Sequence, residues 1–94
     1  MLSMYEITFV SHALCDYLRP IAGEEAVHVM DQDNQAGEWL CAITWGLALC
    51  EDLNIPLPPL FGQKILALDG LSDSEVYSLK KQLERIPAWM KMAS

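Results

Sequence analysis

Basic residues are almost missing from the first two-thirds of this chain. Residues 1–63 hold Arg19 and no other lysine or arginine, against nine acids. A nucleic-acid backbone would be repelled by that surface, so direct binding to DNA or RNA is disfavoured. Cysteine is scarce too. Cys15, Cys41 and Cys50 are odd in number, form no CxxC and sit in apolar stretches. They read as free, buried thiols of a reducing compartment, without disulfide or zinc-ligand spacing. The chain has no glycine-rich phosphate loop, no GxSxG and no HExxH, so the common phosphate, acyl-transfer and zinc-hydrolase signatures are absent. The opening MLSMYEITFV has no basic segment and meets Glu6 early, unlike a secretory signal. The uncharged run Trp39–Cys50 is twelve residues long, too short to span a bilayer. The expected location is therefore the cytoplasm.

What is present is apolar. Of 94 residues, 52% are hydrophobic and 20% charged, with a net charge of −7. That suits one small folded domain with a modest core, not a disordered chain.

Helical signals run through the whole sequence. Ser3 and Glu6 fit a capping box, with Leu2 and Ile7 as its hydrophobic staple. Ile7, Val10, Leu14 and Tyr17 or Leu18 then make an apolar stripe. Pro20 predicts an end near Leu18 or Arg19. A second helix is expected from about Gly23 to Gln32 and a third from about Gln35 to Leu53. Trp39, Ala42, Gly46, Leu49 and Leu53 would share one face of the third, with Trp45 and Cys41 on a second. A glycine inside a helix costs about 1 kcal/mol relative to alanine, so Gly46 predicts a close helix crossing. Pro56, Pro58 and Pro59 make a rigid connector, and Pro59 opens a fourth helix that Gly70 would cap. Ser72 and Glu75 form another capping box, with Leu71 and Val76 as staple. Val76, Leu79, Leu83 and Ile86 line the inner side of that last helix, Pro87 stops it, and Trp89 is placed to dock. The sum is an all-α bundle of about five short helices in one domain, residues 1–94.

Chemistry is thin. His12 and Cys15 are three apart on one helix, but nothing supplies the third group that orients a nucleophile–base pair. His28 has no ligand partners at metal spacing. The stretch from Asp31 to Glu38 begins like a calcium loop. It fails at Ala36, where glycine is needed, and at Ala42, where a bidentate glutamate is needed. No catalytic residue, metal or cofactor is expected.

Acid placement is the one unusual feature. Asp31 and Asp33 fall at the end of the second helix, and Glu51 and Asp52 at the end of the third. Each opposes the helix dipole by about 0.3–1 kcal/mol. The alternatives are that Asp33 or Asn34 caps the third helix and that Glu51 and Asp52 serve solubility alone. Together with Glu24, Glu25 and Glu38 they suggest an electrostatic docking face for a basic protein.

From Gly37-Glu38-Trp39 through Ala42, a helix ending in acid, and Ile55-Pro56-Leu57-Pro58 before an Ile/Leu-rich helix, the chain resembles the MafI-type immunity proteins. More broadly it is similar to the CdiI-like immunity proteins of bacterial contact-dependent growth inhibition. The likeness spans about Gly37 to Leu71 and departs at Gly46, where leucine is expected. It implies a non-enzymatic cytoplasmic inhibitor of a toxin's C-terminal nuclease domain, often an RNase, with EndoU-like folds among them. Glu38 would be a helix-start carboxylate. The acids would mimic RNA phosphates, and Lys at positions 51 and 52 would weaken the complex without weakening the fold. The other reading is a small helical adaptor whose apolar groove takes a partner helix.

Overall fold

The computed structural model describes residues 4–88, and side chains from residue 6 onward. Five helices follow in order: α1 Met4–Ala22, α2 Glu24–Gln35, α3 Trp39–Asp52, α4 Pro59–Leu66 and α5 Asp73–Glu84. The all-α expectation holds for these residues, whose sole ladder-like contact is an isolated bridge between Leu57 and Ala88. The first capping box and staple, and Trp89, involve residues outside those described.

Helix α1 runs through Pro20 rather than stopping before it. A proline forfeits one backbone bond but is tolerable in a final turn. The stop is Gly23, at φ 97° and ψ 161°, a backbone region essentially restricted to glycine. Its N–H donates to the Arg19 carbonyl at 2.9 Å, and its own carbonyl accepts from Val27. One residue thus ends α1 and caps α2.

Helix α2 continues to Gln35, three residues past the expected Gln32. Gly37 then takes φ 77°. The Glu38 N–H reaches the Asp33 carbonyl at 2.8 Å, and the Gly37 N–H reaches Asn34 at 3.2 Å. This pair of bonds is a Schellman closure. Gly37-Glu38 therefore ends α2, and α3 starts later than expected, at Trp39. Asn34 caps nothing, because it is buried and its Oδ1 accepts from the Ser11 hydroxyl of α1. The outer bond of that closure recurs after α3. Asn54 supplies the left-handed residue at φ 55°, and the Ile55 N–H bonds the Cys50 carbonyl at 2.9 Å.

Ile55 and Leu57 enter the core between the prolines, and the Tyr17 hydroxyl donates to the Pro56 carbonyl. Pro59 occupies the first turn of α4 as expected, but the helix ends at Leu66 with Ala67 as cap. Gly70 belongs to the following turn instead. The Ser72–Glu75 capping box is present in both directions, at 2.8 and 3.1 Å. Helix α5 closes at Glu84 with Arg85 as its cap, ahead of Pro87.

Helices α1, α2 and α3 pack on one another, α4 rests on α1 and α5, and α5 leans on α3. The core holds Leu14, Leu18, Met30, Ile43, Leu47, Ile65 and Leu79. Gly46 sits where α1 and α2 both close on α3. A Cβ there would lie 2.7 Å from Leu14 Cδ2 and 2.7 Å from Met30 Cε. The close crossing is real, and it leaves no room for a side chain at position 46. The buried side of α3 is Ala42, Ile43, Gly46, Leu47 and Cys50, rotated from the expected face. Leu53 is 51% exposed. An almost uncharged helix carries no polar marks to set its rotation, so its neighbours set it.

Candidate functional site

The α2–α3 hairpin, residues 24–52, carries seven carboxylates and no lysine or arginine. The two helices are joined by a tight reversal, so they run antiparallel. Asp33 and Glu38 mark the closed end. Glu24, Glu25, Glu51 and Asp52 lie toward the open end, about 18 Å away at 1.5 Å per residue. The seven acids are therefore spread along the hairpin rather than gathered in one cluster.

Three of them are held by arginines from other elements. Arg19 of α1 binds Asp31 at 2.8 Å and Glu24 at 2.7 Å. Its other contacts are a second bond to Asp31 at 3.1 Å and one to the Cys15 sulfur at 3.4 Å. This two-oxygen grip, more than the opposing desolvation, holds the Asp31 carboxyl below the usual carboxylate range. The one lysine or arginine of the first two-thirds is thus a tie between α1 and α2, beside the Ser11–Asn34 bond. Arg85, just beyond α5, binds Glu51 at 2.9 Å. Glu51 is consequently a cross-helix contact as well as a helix-end acid, and lysine there would face Arg85. Charge reversal at position 51 would therefore remove a surface ion pair as well as a helix-end acid.

Glu25, Asp33, Glu38 and Asp52 have no ion-pair partner among the described residues. Glu38 is the N-cap of α3, yet its side chain makes no capping bond. Glu24, Glu25, His28 and Asp31 line one shallow hollow on α2.

Reactive groups are not assembled. His12 is exposed, and the neighbouring Cys15 is buried with its thiol donating to Asp31 at 3.3 Å. Burial, then the Asp31 bond, push that thiol up to about 11, and burial pushes Cys50 up to about 11. Both are protonated thiols at neutral pH. Cys41 corrects the expectation of three buried cysteines, because it is exposed on α3. Among the described residues no group of three or more His, Cys, Asp and Glu is placed to hold a metal. No helix there is long and apolar enough to cross a membrane.

Two apolar surfaces stand out, and Trp45 is, with Trp39 and Trp89, one of the tryptophans that the sequence offers as a contact anchor wherever it is exposed. Trp45 is 43% exposed on the outer side of α3. Phe9, Val10, Ala13, Pro58, Leu60 and Phe61 line a groove between α1 and α4, with Lys64 at its edge. Phe9 was legible as a large residue off the Ile7–Val10–Leu14 stripe. No family model matches the chain, and neither a curated protein nor a solved structure matches it significantly.

Proposed function

We propose that this chain is a binding inhibitor: an immunity-type protein that neutralises the basic C-terminal nuclease domain of a bacterial toxin. The observation that carries the reading is the hairpin with seven carboxylates and no lysine or arginine. Four of those acids are left unpaired by the fold among the described residues. A nuclease that grips RNA presents a cationic cleft. An acidic protein seated over that cleft imitates phosphate charge and shuts substrate out, and the field between the two speeds their encounter. The inhibitor supplies no catalytic group and acts in the cytoplasm, where such a toxin does its damage. An RNase target, EndoU-like folds included, suits the same charge logic.

The test is a pull-down with tagged protein from lysate of its source, read by mass spectrometry. The expected catch is a Lys- and Arg-rich fragment from the C-terminus of a large secreted protein, whose nuclease activity falls when the inhibitor is added. Association should slow as salt rises. A catch limited to neutral regulatory proteins, with association indifferent to salt, overturns the reading. That outcome would favour a helical adaptor, the reading to which the apolar Phe9–Leu60 groove lends support.

A further inference from the structure

The unpaired carboxylates are spread along the hairpin, but two of them, Asp33 and Asp52, lie on the same side as one apolar face. Cys41, Trp45, Ala48 and Asp52 recur at spacings of four, three and four, so they form a line along α3. Cys41, Trp45 and Asp52 are exposed and Ala48 is half-buried. On α2, Val29 and Asp33 lie one turn apart, while Glu25 shares the hollow of Glu24, His28 and Asp31. The Trp45 indole N–H donates to the Ala26 carbonyl at 3.4 Å, which sets α2 beside that line. Glu24 and Asp31 turn to the other flank of α2, where Arg19 holds them.

We infer that this Trp45 face is the contact surface for a basic protein. Trp45 enters an apolar pocket of the partner, while Asp33 and Asp52 meet lysines or arginines around it. The inference rests on the inhibitor reading and adds where the partner sits. An aromatic centre with a charged rim is the usual anatomy of a specific interface, and tryptophan is among the commonest anchors. Charge also decides between the two apolar surfaces. The α1–α4 groove is edged by Lys64, which repels a basic partner. The Trp45 face carries free carboxylates, on helices that contain no lysine or arginine. Trp45 is partly tethered before binding, so less side-chain freedom is lost on docking.

The test places the photo-crosslinker p-benzoylphenylalanine at position 45 in one variant and at position 9 in another, each expressed in cells of the source. The expected product is a crosslink from position 45 to a protein rich in Lys and Arg, with none from position 9. Against that protein, Trp45→Ala should weaken binding by about thirtyfold, Phe9→Ala should leave it unchanged, and Asp52→Lys should slow association. A basic protein crosslinked from position 9 alone overturns the inference and leaves the inhibitor reading standing. An acidic or neutral protein crosslinked from position 45 overturns both. Silence at both positions overturns the inference, and the pull-down then decides the inhibitor reading on its own.

Discussion

Trp45 and Gly46 are neighbours in sequence and opposites in surroundings. Gly46 is turned inward, where Leu14 and Met30 leave no room for a single Cβ. Trp45 is turned outward and 43% exposed. The same contrast repeats along α3. Cys50 is buried and Cys41 exposed, and Glu51 is paired with Arg85 while Asp52 is free. One uncharged run thus serves two surfaces: an inner side where three helices meet, and an outer side with no helix over it among the described residues. Trp45 lies against α2 through its bond to the Ala26 carbonyl and leaves 43% of its surface open.

Thiol chemistry breaks the comparison most sharply. Cys41 should react with a disulfide reagent at once. Cys50 and Cys15, buried and held protonated with values of about 11, should react only when the fold opens, at least about a thousandfold more slowly. Comparable rates at all three would mean that α3 is not packed as described.

Gly46→Val should cost about 3 kcal/mol in urea denaturation, because two methyl groups must displace a filled core. Trp45→Ala, one residue away, should cost less than about 1 kcal/mol. Equal losses would erase the distinction between the two sides.

Arg19→Gln should lower stability at neutral pH by releasing Asp31 and Glu24. The sign with pH follows from Asp31, whose folded pKa lies below its ordinary 3.8. Its contribution is full above that ordinary value and is lost as pH falls through the folded one. The gap between wild type and variant should therefore be widest above about pH 5 and close on acidification. A gap independent of pH would remove Asp31 from the account.

The smallest pair of effects has opposite signs. Asp52→Asn should stabilise by a few tenths of a kcal/mol, since a free acid at a helix C-terminus opposes the dipole. Glu51→Gln should destabilise by a similar amount, since it gives up the Arg85 contact. Matching thermal melts would show whether pairing or position governs the end of α3.

Much of the fold was legible in local chemistry. The Ser72–Glu75 box, Pro59 in a first turn and the Ile7–Val10–Leu14–Leu18 stripe act within a few residues of themselves, and all are found as read. Boundaries went astray where glycine chemistry outranked a neighbouring signal. Gly23, not Pro20, ended α1, and Gly37 closed α2 where a helix start had been read. The acids were legible as residues but not as partners. Arg19 and Arg85 reach them across gaps of twelve and thirty-four positions, and nothing in local spacing announces such contacts.

By itself the sequence determined an all-helical chain, a hairpin with no cation and the need for a close approach at Gly46. These follow from periodicity, capping and charge, which are local or additive. Tertiary structure alone decided which side of α3 is buried, which carboxylates are neutralised and that Trp45 stands beside free acids. Rotation of an uncharged helix and pairing of distant charges depend on what packs against them, and that is set when the helices meet.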